Sequence, residues 1–283
     1  IFYNSKYLKK FIFIFLLISL IFPQKVYAEN LLYGILTNND ISAKNISSFE
    51  KNNGTHEIYA FKYDEKTAFP QILSCKLKNK TPYIIFDEET DFKKAAKAVG
   101  RANTECFAEI FPLTANCKYA KNEYISLFQN ASAEFKKNAP KTDIVYSFSL
   151  ENINKAKEYF PTKYYADKAG FIYYIKQNTD MLTAYLKVKE AYEMFDMPII
   201  FSRFGVSHFS VETENYSEQY AARFIKNFYE LTEKEFPKTE AIIYSNLYIS
   251  EKMPDGTYVN DYRITEPSGL AENYKNIVMT GRK

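Results

Sequence analysis

The chain has 283 residues, 46% of them hydrophobic and 25% charged, which suits a folded globular protein of one large domain or two small ones. The formal charge is +3, but Lys6, Lys9, Lys10 and Lys25 fall in an acid-free N-terminal stretch. Without those four, 33 basic residues face 34 acidic ones over residues 29–283, a formal −1 that gives no basic footprint for a nucleic-acid partner.

In chain order, a targeting segment comes first. Three lysines precede "FIFIFLLISLIF", an apolar run at 11–22, and "VYA" at 26–28 supplies a small-x-small cleavage site before Glu29. The run is shorter than the roughly 20 residues that span a bilayer. Residues 1–28 therefore read as a signal peptide, with an uncleaved membrane anchor as the alternative. A secreted or cell-envelope protein of residues 29–283, without a membrane span after cleavage, is expected.

Beyond it, apolar, β-rich runs recur at 31–36, 57–61, 82–86, 105–110, 143–148, 166–174, 198–201 and 240–244. Segments with a 3.6-residue period lie between and after them, at 47–53, 69–78, 92–101, 123–137, 150–158, 181–195, 217–234 and 270–278. Strands alternating with helices imply parallel βαβ units, and eight units in this length predict an α/β fold, a single-domain (β/α)8 TIM barrel. A doubly wound sheet competes, but eight repeats of similar length fit poorly in an open sheet of this size.

Few residue types are available for chemistry. Cys75, Cys106 and Cys117 make an odd count; Cys106 and Cys117 either bridge a short loop or stay as free thiols. With only His56 and His208 and 8 Gly, the sequence offers no metal-ligand cluster and no phosphate loop, so no cofactor is expected. In a TIM barrel the active site lies at the C-terminal strand ends. Glu109 in "CFAEIF" and Arg203 in "PIIFSRFGVSHF" fall there, Arg203 where the strand is expected to become a loop. Retaining glycosidases place two carboxylates in such a site, about 5–5.5 Å apart.

The order of segments resembles glycoside hydrolase family 26, the β-mannanase-like barrels, in a divergent exported bacterial branch. "FAEIFPL" is similar to the element carrying the acid/base Glu-Met-Asn motif. "FPTKYYADKAGFIYY" resembles the sixth-strand element "YPG-x-x-YVDWVGI-x-x-Y". "PIIFSRFGVSH" resembles "KPI-x-I-x-EFG", which carries the nucleophile, and "FPKTEAIIYSN" is similar to the last strand. The resemblance puts Glu109 at the acid/base position and Arg203 at the nucleophile position.

An arginine stays protonated and cannot form a glycosyl ester. It is expected to pair with Glu109 and favour its ionised form, whereas the family's acid needs a raised pKa. Other departures agree: Ile110 and Phe111 replace the Asn after the acid/base residue, Lys168 replaces a Trp, a residue that often serves as a sugar-stacking platform in such sites though Tyr can substitute, and the chain contains no Trp. Tyr174 matches the Tyr that hydrogen-bonds the nucleophile, or is a strand-end core aromatic. His208 reads as a surface loop residue or a substrate-binding one. Asp87, Glu88 and Glu89 read as a solvated loop or as a source of another carboxylate.

Two functions are implied. One is a catalytically degenerate protein binding a polysaccharide or cell-surface glycan, or a protein. The other is an active hydrolase of a β-linked polysaccharide with relocated carboxylates, using Glu109 with Asp87 or Glu212.

Overall fold

The structure is a computed structural model that describes residues 31–38, 41–114, 117–210, 215–253 and 256–280. The expected signal peptide and Glu212 lie outside the described residues. Eight parallel strands close a barrel: β1 (Leu32–Thr37), β2 (Ile58–Lys62), β3 (Thr81–Phe86), β4 (Cys106–Ile110), β5 (Thr142–Ser149), β6 (Lys168–Ile175), β7 (Ile199–Val206) and β10 (Thr239–Asn246). Between β7 and β10 comes a short hairpin, β8 (Phe209–Ser210) and β9 (Asn215–Tyr216). A longer one, β11 (Tyr248–Met253) and β12 (Gly256–Asp261), follows β10. The eight-stranded (β/α)8 architecture is the one the sequence implies; the two hairpins are additions to it.

Among the described residues, eight helices surround the barrel: α1 (Ala43–Asn53), α2 (Ala68–Leu77), α3 (Phe92–Ala102), α4 (Lys121–Asn138), α5 (Ile153–Tyr159), α6 (Met181–Met194), α7 (Glu218–Glu235) and α8 (Ser268–Thr280). Their starts follow capping chemistry. Ser42 accepts from Asn45 N at 3.1 Å, Asp91 from Lys94 N at 3.1 Å and Asp180 from Thr183 N at 2.9 Å. The expected helix at 150–158 opens instead as a 3-10 turn, Leu150–Asn152, capped by Ser149. No helix of the described residues is long and apolar enough to cross a membrane.

Outward strand residues pack on the helices through aromatic pairs, such as Phe86 on Phe135 at 5.0 Å and Phe204 stacked on Phe228 at 4.2 Å. Two buried tyrosines have their hydroxyls satisfied: Tyr146 donates to Ala156 O at 2.8 Å and Tyr33 to Glu233 at 2.7 Å. Cys75, Cys106 and Cys117 are free thiols, so the Cys106–Cys117 bridge is not formed; Cys106 contacts Thr142 Oγ1 at 3.2 Å.

The interior mixes large and small side chains. Tyr83 and Phe107 meet at 5.9 Å, Gly34 lies against Ile243 and Ile58, and Gly170 lies against Ser147 and Val145. The N-terminal end is sealed by Lys168, which binds Glu240 at 2.6 Å and Asp143 at 3.2 Å. This corrects one implication of the resemblance. Lys168 is the first residue of β6 and lies at the end opposite the expected active site, so its replacement of a Trp removes no sugar platform there.

β7 also corrects an expectation: it runs to Val206, so Arg203 lies inside the strand rather than where it becomes a loop. Gly170 faces Ile200 and Ile172 faces Arg203, while Ile242 faces Phe201 and Tyr244 faces Phe204. β7 thus holds one extra residue against both neighbours, a β-bulge between Ile200 and Phe204. In a regular strand Phe201 and Phe204 would face opposite sides. Here both pack on Phe228, at 5.2 and 4.2 Å. The bulge therefore turns Arg203 into the barrel.

A Cβ on Gly170 would lie 2.1 Å from Ser147 Oγ and 2.9 Å from Val145 Cγ1. Gly170→Ala is expected to destabilise the fold by about 1–3 kcal/mol through overpacking, read as a lower urea midpoint. An unchanged midpoint would show that the barrel interior is looser than this packing.

Candidate functional site

The site is built from the C-terminal halves of β3–β7 and β10. Glu109 is the penultimate residue of β4 and is fully buried. Arg203 Nη2 donates to Glu109 Oε1, and the Arg203 side chain is 16% exposed. Tyr83, one layer below, donates its hydroxyl to Glu109 Oε2 at 2.6 Å. Both carboxylate oxygens are thus engaged.

Each partner is set up by its surroundings. Burial, followed by the Glu109 carboxylate, pushes the Tyr83 pKa well above the usual tyrosine value, so Tyr83 remains a donor. Burial opposes the charge on Arg203, but Glu109 outweighs it and the net shift is upward. Arg203 Nε and Ser147 Oγ are buried without a hydrogen-bond partner among the described residues.

Tyr174 stands beside this pair, its hydroxyl 3.3 Å from Ser245 Oγ and its pKa raised mainly by burial. Its ring lies 4.9 Å from that of Tyr262, which follows β12 and is 4% exposed. A Cβ on Gly205 would meet Tyr262 Cδ1 at 3.0 Å and Tyr174 Cδ1 at 3.1 Å. A glycine at 205 is what lets Tyr262 settle over the barrel mouth. Neither Tyr262 nor its hairpin was legible as part of the site.

Glu109, Tyr174 and Arg203 come together as expected; His208 belongs to a neighbouring cluster. It is 1% exposed rather than on the surface, and its Nε2 lies 3.5 Å from Asp261 Oδ2. Asp261 also accepts from Arg263 Nε at 3.0 Å and Nη2 at 2.7 Å. Burial alone would raise the Asp261 pKa, but hydrogen bonds from His208 and Arg263 outweigh it and hold that carboxyl well below the usual range. The backbone N–H of His208 donates to Asp261 O at 3.1 Å, which ties the β8–β9 hairpin to the β11–β12 hairpin. A signal for this cluster was the "NDYR" run at 260–263, whose partner is 53 residues upstream in sequence but adjacent in space.

Other candidates stay apart. Asp87 folds its own exposed loop, accepting from Thr90 Oγ1 at 2.9 Å and Glu89 N at 3.2 Å, and Glu88 pairs with Lys118. Ile110 and Phe111, in place of an Asn, are buried in the core. Among the described residues no group of three or more His, Cys, Asp or Glu is placed to hold a metal ion.

No known family's sequence profile matches the chain, and no curated protein sequence matches it. Solved structures share its fold. A β-1,4-mannanase of glycoside hydrolase family 113, in a complex, superposes with a TM-score of 0.60 at 13% identity, covering 90% of this chain and 99% of that one. The family 26 protein GH26C from Muricauda sp. MAR_2010_75 gives 0.64 at 11% identity, over 90% and 87%. A modular family 26 endo-β-1,4-mannanase from Cellulomonas fimi gives 0.63 at 11% identity, over 89% and 71%. At these identities the likeness is one of fold: the chain has a glycoside hydrolase-like TIM barrel.

The Asp261 cluster yields a prediction about acid stability. A carboxyl whose folded pKa lies below its ordinary 3.8 adds stability that is present above that value and lost as the pH falls through it. Asp261→Asn is expected to lower the urea midpoint at about pH 6 and to narrow the difference between about pH 6 and pH 3. An unchanged pH dependence would contradict the His208–Asp261–Arg263 arrangement.

Proposed function

We propose that this protein is an exported, family 26-like barrel that binds a neutral polysaccharide and has lost retaining hydrolysis. The observation that supports the reading is the state of Glu109: buried, with Arg203 on one oxygen and Tyr83 on the other. A retaining glycosidase needs a second carboxylate to attack the anomeric carbon and an acid that can reach the leaving oxygen. Arg203 offers no lone pair for that attack. Glu109 is fully buried and engaged by Tyr83 and Arg203. Glycan binding is favoured because the similar structures are described as mannanases, one of them complexed with a gluco-manno-oligosaccharide. Export rests on the Lys-flanked apolar run and the "VYA" site at 26–28.

The test is to incubate the protein with activated 2-fluoro glycosides of mannose and glucose, and separately with mannan, mixed-linkage glucan and bacterial surface glycans. The expected result is no glycosyl adduct by mass spectrometry and no released reducing sugar, with Glu109→Gln indistinguishable from the natural protein. Arg203→Glu is expected to recover traces at most, because the residues after Glu109 still hold no polar contact to the sugar. Robust cleavage that disappears in Glu109→Gln would overturn the proposal and establish a working hydrolase.

A further inference from the structure

We infer that the glycan is held on the outer rim by an aromatic platform of Tyr216 and Tyr248, rather than in the barrel centre. This rests on the glycan-binding reading above. The centre presents little surface to a sugar ring: Glu109 is fully buried, Tyr262 is 4% exposed and packs on Tyr174, and Tyr83 lies beneath. The rim differs. Tyr216 is 54% exposed and Tyr248 46% exposed, and each comes from a hairpin added to the barrel.

Both rings are supported from behind. Tyr216 lies 4.8 Å from the Phe209 ring and 5.5 Å from the His208 ring. Tyr248 lies 5.0 Å from the Arg263 guanidinium carbon. Arg263 is fixed in turn by its two bonds to Asp261 and a third to Glu266 at 2.9 Å. Asp261 is the cross-strand partner of Tyr248 and also binds His208, on which Tyr216 packs. The two rings therefore flank one cluster that joins the hairpins.

This arrangement suits one kind of ligand. A ring already ordered by its neighbours loses little conformational freedom on binding. Its exposed face is apolar, and the C–H face of a pyranose can stack on it. The cation behind Tyr248 is paired with Asp261 and Glu266. A neutral β-linked pyranoside chain is the occupant this chemistry fits.

The experiment is titration calorimetry of the protein with mannohexaose and with cellohexaose. Tyr216→Ala and Tyr248→Ala are each expected to weaken binding by about tenfold, and together to abolish it. Phenylalanine at either position retains the ring and is expected to retain binding. Tyr164→Ala, at a 73% exposed ring on the opposite end of the barrel, leaves it unchanged. Thermal melts confirm that each variant is folded. Undiminished binding in the double alanine variant would overturn the rim site and leave the glycan reading standing. Failure of both hexaoses to bind the natural protein would overturn the rim site and the neutral-glycan reading together.

Discussion

The Arg203–Glu109 ion pair is the constraint around which the barrel centre is arranged. Removing both charges from water carries a large desolvation cost, which is offset only with good geometry and further hydrogen bonds. The fold supplies these by specific means. The bulge in β7 turns Arg203 inward, and Tyr83 rises from the layer below to satisfy the second carboxylate oxygen. Gly205 then leaves room for Tyr262 to pack on Tyr174, and burial of Glu109 strengthens the attraction within the pair.

The same features put a guanidinium and a tyrosine hydroxyl on the Glu109 carboxylate. On the reading proposed above, Arg203 stands at the nucleophile position and offers no lone pair, while Glu109 has both oxygens engaged. The proposed glycan platform lies outward, on the two hairpins. Their mutual contact runs through His208 and Asp261, both 1% exposed.

Much of this was legible in the sequence, for physical reasons. Alternating apolar runs and helical periods encode the barrel directly, and caps such as Asp91 and Asp180 mark helix starts. The pairing of Glu109 with Arg203 was expected from the resemblance, which sets them opposite each other, and from their opposite charges; it forms with Arg203 inside β7. What was not legible depends on register and long-range packing. No local pattern announces a bulge, so "IIFSRFGV" read as a strand ending before Arg203, although it continues to Val206. Lys168 looked like a lost sugar platform because a resemblance aligns residues and does not say which barrel end they occupy. His208 looked exposed because its partners, Asp261 and the Tyr216 ring, lie in hairpins whose polar sequences resemble ordinary loops.

The central claim is that Glu109 and Arg203 act as one unit, and a double-mutant cycle tests it most directly. The stabilities of Glu109→Gln, Arg203→Met and the double variant are compared with the natural protein by urea unfolding. Each single change is expected to cost about 3–5 kcal/mol, because it leaves a buried charge without its partner. The double change is expected to cost less than the two together by about 2–3 kcal/mol. Additivity within about 0.5 kcal/mol would mean that the two side chains do not depend on each other, and would contradict the account.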